Sequence, residues 1–327
     1  MTKHNVVGSS LAIARNGKLV YAKGFGVMDK NTNEPVQATS SFRIASISKP
    51  ITSAAIMVML EKNPTLLKSK VFGRNGILGT EYGTKPYSDY VKQITVEQLL
   101  THTAGGKAWS NDGNDPMFNT QHIADDHAKL IGWVFDSISI VQPATEYAYS
   151  NFGYTVLGRV IEKLSGQSYE SYVKEKIIKP IGATGMEIGS GKKSERSLYE
   201  VTYYDNYTPY YPNNDFYNYR RMDAHGGWIS SSVDVARFLV HFNGLSSKPD
   251  LISRSTYETM ITPSVVNNHY AKGWSVNPSH KNIWHLGSLP GTGAFVINVA
   301  DGTTGVFLMS SRFKFGNFVI IYMLNLH

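Results

Sequence analysis

At 327 residues, 42% apolar and 17% charged, the chain has ample material for a large folded core and is not a disordered polymer. Lys plus Arg number 32 against 25 Asp plus Glu, a net charge of +7. The basic residues are nonetheless scattered, clustering only at pairs such as Lys192-Lys193 and Arg220-Arg221, so a solvated basic surface is expected rather than a nucleic-acid groove. With no cysteine, a disulfide framework, a thiolate nucleophile and a cysteine-based zinc site are all excluded.

Met1-Thr2-Lys3-His4 opens without an apolar signal-type segment, and the longest apolar run, Ile51 to Leu60, is too short to span a bilayer. The chain reads as soluble as given. The first strand pattern starts within about ten residues of Met1, as it would after removal of an upstream signal or anchor, so export is consistent with the sequence and the compartment stays undetermined.

Taken in chain order, residues 7 to 27 alternate like two strands joined by Asn16-Gly17, a dipeptide suited to a two-residue hairpin because both central positions need positive φ. Ile51 to Leu60 is apolar on nearly every face, the pattern of a buried central helix, and Pro50 is tolerated in its first turn. Thr95-Val96-Glu97-Gln98 predicts a capping box opening a helix through Leu99-Leu100, and Tyr154 to Leu164 keeps helical spacing until Ser165-Gly166. Residues 199 to 219 hold eight tyrosines and read as a long structured loop, either walling a substrate cleft or packed on itself. Ser231-Ser232-Val233-Asp234 predicts another capped helix, running through Phe238 and Phe242. Residues 294–299 and 305–309 flank Asp301-Gly302 as a second hairpin. Strands at both ends with helices between them predict an α+β layered fold whose two ends share one sheet.

Ser-x-x-Lys puts a hydroxyl and an amine on one helical face, as nucleophile activation requires, but the pattern occurs four times: Ser46–Lys49, Ser171–Lys174, Ser190–Lys193 and Ser311–Lys314. Only the first precedes an all-apolar helix that would desolvate the lysine and lower its pKa. A plain N-cap role for Ser46 is the competing reading. Tyr-x-Asn recurs too, and Tyr149–Asn151 stands out by lying just before a well-formed amphipathic helix. Of the two His-x-Gly copies, His285–Gly287 precedes Ser288-Leu289-Pro290-Gly291 and a hairpin, which puts it on a sheet edge with free backbone N–H groups. His102 is read as a packed core histidine, and Asp125-Asp126-His127 as a helix end rather than a metal cluster.

In chain order, Ser46-Ile47-Ser48-Lys49, Tyr149-Ser150-Asn151 and His285-Leu286-Gly287 resemble the motifs of the serine β-lactamase and penicillin-binding-protein superfamily. The likeness is to its class C β-lactamase-like branch, which includes D-amino-acid peptidases and esterases. Lys23-Gly24-Phe25-Gly26, Leu99 to Gly106 and Gly226-Gly227-Trp228 resemble that branch as well, and the likeness runs from residue 7 to about 310. It implies a β-lactamase/transpeptidase-like fold. A sheet region from residues 1–45 and 222–327 would face a mainly helical region, 46–221, across a cleft holding the active site.

The resemblance further implies Ser46 as nucleophile, Lys49 and Tyr149 together as its base, and an oxyanion hole from the backbone N–H groups of Ser46 and Ser288. Asn151, His285, Gly287 and Ser288 would contact substrate, with no cofactor and no metal. The implied activity is acyl-enzyme hydrolysis of a small-molecule or peptide substrate: an ester, an amide or a D-amino-acid peptide, with weak β-lactam hydrolysis. The alternatives are a penicillin-binding sensor acylated without turnover and a true class C-type β-lactamase. The oligomeric state is not legible. One departure matters: His285 replaces the third-motif lysine that meets a substrate carboxylate in this superfamily. With an ordinary pKa of about 6.5, a histidine there is expected to be mostly neutral near pH 7, shifting weight away from β-lactams.

Overall fold

Asn16 and Gly17 adopt φ of +49° and +75°, closing the first hairpin as expected. In the computed structural model, which describes residues 6–111, 115–205, 208–209, 218–279 and 281–311, the strands are β1 Gly8–Arg15, β2 Lys18–Asp29, β3 Glu34–Pro35, β4 Phe42–Arg43, β5 Glu187–Ile188, β6 Tyr204–Asp205, β7 Thr208–Pro209, β8 Trp228–Ser230, β9 Ser275–Asn277, β10 Asn282–Leu289, β11 Thr292–Asn298 and β12 Thr303–Met309. The helices are α1 Ser48–Leu60, α2 Asp89–Gln93, α3 Val96–Leu100, α4 His127–Ser137, α5 Asn151–Ser165, α6 Tyr169–Val173, α7 Lys179–Ile181, α8 Ser232–Val240 and α9 Arg254–Ile261.

The two chain ends share a seven-stranded antiparallel sheet in the order β3-β2-β1-β12-β11-β10-β9, with β1 and β12 paired from Ser9 opposite Met309 to Arg15 opposite Thr303. This is the α+β fold of the β-lactamase/transpeptidase type. Every residue of β11, between β12 and β10, is buried, so strict inside–outside alternation is lost on that strand. Helix α8 covers one face, with Ser10 Oγ and Ser232 Oγ 2.7 Å apart joining β1 to it. A second sheet, β4-β8-β5, supports the segment that leads into α1.

Helix α1 is buried from Ser48 through Met57. Burying each of Ile51, Ile56 and Met57 contributes about 1.5–3 kcal/mol, so this helix is a rigid platform for whatever its first turn carries. The capping box at Thr95 forms as predicted, Thr95 Oγ1 accepting from Gln98 N and Gln98 Oε1 from Thr95 N. Helix α5 ends at Gly166 with φ of +70°, also as predicted. Helix α8 stops at Val240, short of Phe242. Asp250 accepts from the N–H groups of Asn243 and Gly244, and Gly244 turns left-handed, so the chain leaves the helix before that residue. No helix among the described residues is long and apolar enough to cross a membrane.

Of the described tyrosines in the tyrosine-rich stretch, Tyr199 is exposed and Tyr203, Tyr204 and Tyr219 pack inward. Tyr203 and Tyr219 are buried, and their rings sandwich the Arg43 guanidinium at 3.8 and 4.3 Å. Asn206, Tyr211 and Asn213, which carry the other Tyr-x-Asn copies, and the segment from Lys314 lie outside the described residues.

Candidate active site

Ser46 lies in a one-turn 3-10 segment, Ala45–Ile47, immediately before α1, rather than at the helix N-cap itself. Ala45 has φ of +49°, a left-handed conformation that costs a non-glycine residue about 1–2 kcal/mol and is sustained only by rigid surroundings. Those surroundings are visible. Ser48 Oγ donates to Ala45 O at 2.7 Å, Trp228 N donates to Ser48 Oγ at 3.3 Å, and Ile44 N donates to Trp228 O at 3.1 Å. From the other side β10 presses against the turn. A Cβ on Gly287 would lie 2.3 Å from Ile44 O, so only glycine permits that approach.

Lys49, one turn into the platform, has no solvent exposure. Its Nζ is 3.2 Å from Ser46 Oγ, 2.6 Å from Asn151 Oδ1 and 3.0 Å from His225 O, and it sits 4.7 Å from the centre of the Tyr149 ring. Burial pushes its pKa down to about 7, with buried Asp115 pulling the other way. As an ammonium it donates to all three oxygens. As an amine it still donates to Asn151 Oδ1 and His225 O, which can only accept, so its lone pair is left for the Ser46 hydroxyl.

Tyr149 and Asn151 are delivered by the start of α5. Ser150 caps that helix through Gly153 N at 3.0 Å, which puts Asn151 in the first helical turn. The Tyr149 ring lies over Lys49 with its phenol near the Ser46 side chain, and desolvation drives that phenol well above the ordinary tyrosine range. Asn151 is held at three atoms: Oδ1 by Lys49, Nδ2 by Asn111 Oδ1 at 2.7 Å, and backbone N by Asp115 Oδ2 at 3.0 Å. His102, buried as expected, accepts from Ser150 N at 3.1 Å and lies tilted against the Tyr149 ring with centres 4.3 Å apart.

The third motif is arranged differently from a charged carboxylate receptor. His285 is 4% exposed, and its Nδ1 lies 2.8 Å from Leu286 O, which can only accept. The proton is therefore on Nδ1, and Nε2 accepts from Tyr270 Oη at 3.1 Å. Burial and neighbouring Lys49 push its pKa down to about 3, so the ordinary value near 6.5 does not apply and the ring stays neutral across the physiological range. It braces β10 from behind. Beyond Trp284, where pairing with β9 ends, β10 from His285 to Leu289 has an unladdered outer edge, as anticipated, and Ser288 is exposed on it.

An open cavity of about 160 Å³ is lined by Ser46, Asn151, His225 and Ser288, with Phe118 and Met222 as apolar wall. Lys49 lies beneath it. The other described Ser-x-x-Lys helix copy is a surface feature, Ser171 Oγ meeting Ser168 Oγ and Lys174 meeting Glu170. Asp126 caps α4, His127 Nε2 meets Arg221 O, and no group of three His, Asp or Glu able to hold a metal occurs among the described residues. Sequence reasoning missed Asn111, Asp115 and Tyr270. Of these, Asp115 alone carried a local signal, an Asp-Pro helix start, and Asp115 does cap the turn at Pro116.

The family described as Beta-lactamase matches residues 1–323 of the chain. The chain belongs to the beta-lactamase family. It is 26% identical to penicillin-binding protein 4* of Bacillus subtilis (strain 168), over 95% of this chain and 69% of that protein. Curated relatives are matched over about 60 to 69% of their own length. Among solved structures, the octameric penicillin-binding protein homologue from Pyrococcus abyssi superposes with a TM-score of 0.79 at 24% identity, over all of this chain and 74% of that one. A D-stereospecific amidohydrolase from Streptomyces sp. gives 0.74 at 20% identity, over 99% and 95%. These likenesses establish the fold and membership of a hydrolase family within the serine β-lactamase/penicillin-binding-protein superfamily.

Proposed function

We propose that the protein is a serine hydrolase that turns over a small ester, amide or D-amino-acid peptide through an acyl-enzyme at Ser46. The observation that carries this reading is the fully buried Lys49 amine 3.2 Å from Ser46 Oγ, with both of its other hydrogen-bond partners being obligate acceptors. In the amine form Lys49 takes the Ser46 proton as Oγ attacks the substrate carbonyl carbon. The N–H groups of Ser46 and Ser288 receive the oxyanion. Collapse of the tetrahedral species expels the leaving group, which collects the proton from Lys49 by way of the Tyr149 hydroxyl. Water then attacks the acyl ester, giving its proton to Lys49, and as the acyl carbon–Oγ bond breaks Lys49 returns that proton to Ser46 Oγ, leaving the amine and the free hydroxyl.

Between the two candidate bases, Lys49 is the one poised near neutrality; the raised phenol of Tyr149 keeps its proton and acts as relay. Asn151 positions Lys49, and Gly287 lets β10 reach the nucleophile turn. The sheet region, 1–45 and 222–327, and the mainly helical region, 46–221, are the two walls of the proposed cleft. With His285 neutral and braced, the third motif supplies no cation for a substrate carboxylate, which favours neutral esters and amides over β-lactams.

A panel of nitrocefin, p-nitrophenyl esters and D-amino-acid amides tests the proposal. Sustained release of product from an ester or amide, faster than from nitrocefin, is expected. A single stoichiometric burst with no steady state would instead identify a penicillin-binding sensor, and nitrocefin as the best substrate would identify a β-lactamase.

A further inference from the structure

The segment after α7 and the tyrosine-rich stretch brings His225 to the cavity wall beside Ser46. Its backbone carbonyl anchors Lys49, but its side chain has no such task. The residue is 1% exposed, and its Nε2 is buried without a hydrogen-bond partner among the described residues. Phe118, also in the wall, stands edge-on to it with ring centres 6.2 Å apart. A polar ring buried against an apolar neighbour destabilises a fold unless something satisfies it, so an unpaired imidazole in a substrate cavity is an interaction held in reserve.

The other polar side chains of the wall show what kind of partner is missing. Asn151 Oδ1 is taken by Lys49, Asn151 Nδ2 by Asn111 Oδ1, and Ser46 Oγ by Lys49. The His225 ring, by contrast, carries a buried nitrogen with no partner among the described residues. Burial and the neighbouring Lys49 keep it neutral, and either tautomer of a neutral imidazole has one accepting nitrogen. The matching group on a substrate is an N–H donor close to the scissile carbonyl.

We propose that His225 is a specificity-determining residue of this site, its ring accepting a hydrogen bond from the α-nitrogen of an aminoacyl substrate. This rests on the serine-hydrolase reading above and narrows its substrate class from esters and amides in general to aminoacyl compounds.

The test compares kcat/KM for D-phenylalanyl p-nitroanilide with that for its desamino analogue, 3-phenylpropionyl p-nitroanilide, in the wild type, His225→Leu and His225→Gln. Every variant keeps the backbone carbonyl that holds Lys49. Because both substrates are read on one preparation, partial misfolding scales both rates and cancels in their ratio; His225→Phe carries the comparison if His225→Leu does not fold. The wild type is expected to prefer the aminoacyl compound, His225→Leu to lose that preference by about tenfold or more, and His225→Gln, which keeps an acceptor, to restore part of it. A ratio that His225→Leu leaves within about twofold of wild type, or a wild type without preference, overturns the proposal. Mass spectrometry of the same reactions separates the two levels: acyl-Ser46 with an unchanged ratio overturns the role of His225 alone, whereas turnover without acyl-Ser46 overturns the serine reading beneath it.

Discussion

Replacing Lys49 by Arg, together with a pH titration of the wild type, tests how Ser46 would be activated. A lysine with its ordinary pKa of 10.5 would be neutral in only about one molecule in 3,000 at pH 7, whereas the value of about 7 in this site leaves about half the molecules with a free amine. Burial thus enlarges the population of competent base by about 10³. An arginine gains nothing from the same burial, since it stays protonated and its planar fork does not fit contacts at 2.6, 3.0 and 3.2 Å converging on a single nitrogen. Stopped-flow release of p-nitrophenol from an activated ester reads the acylation step. The wild-type rate should climb about tenfold per pH unit below about pH 7 and level off above it, because the reactive form is the deprotonated one. Lys49→Arg and Lys49→Ala should be slower by about 10³ or more. A wild-type profile flat from about pH 5 to 9, or a Lys49→Ala enzyme within about tenfold of wild type, would refute the reasoning.

Three further outcomes follow from the same geometry. Tyr149→Phe keeps the ring over Lys49 but removes the proposed proton relay, and should lower steady-state turnover by about 10² to 10⁴, measured on the same ester; an unaffected enzyme would remove Tyr149 from the relay. Asp115→Asn retains an acceptor for Asn151 N but deletes the charge that holds the Lys49 pKa up, so the acid limb of the pH–rate profile should move to lower pH, and a shift upward would contradict the assigned interaction. The last concerns stability. The folded pKa of Lys49 lies below its unfolded value, so between about pH 7 and 10 the unfolded chain binds the proton more tightly and wild-type stability rises with pH, by up to about 5 kcal/mol across the window. Lys49→Met cannot titrate, so any stability advantage it holds near pH 6.5 should shrink toward pH 10; denaturant curves that keep a constant gap would count against a buried, proton-shedding lysine.

Much of the fold was readable because its signals are local. Asn16-Gly17 specifies a hairpin by itself, and the Thr95 box and Gly166 stop mark helix ends within a few residues. The proposed nucleophile was not local in this sense. Four Ser-x-x-Lys copies are equivalent as strings, and the apolar run behind Ser46 together with the ordered second and third motifs singled one out. What could not be read was whatever depends on distant strands meeting. The carbonyl of His225 reaches Lys49 across 176 positions, Asp115 reaches Asn151 across 36, and no periodicity encodes either. His285 shows the same limit from the opposite direction. As a residue type it titrates near neutrality, but here it is buried in β10 with its ring bonded to Tyr270, so it stays neutral and serves as a brace.

The central claim, that Ser46 is the acylated nucleophile, is tested most directly by peptide mapping after incubation with a fluorophosphonate or a slowly released ester. One adduct per chain is expected, on the peptide containing Ser46-Ile47-Ser48-Lys49, and Ser46→Ala protein of unchanged circular dichroism should acquire none. A stoichiometric adduct on any other residue, or one that persists in Ser46→Ala, would contradict it.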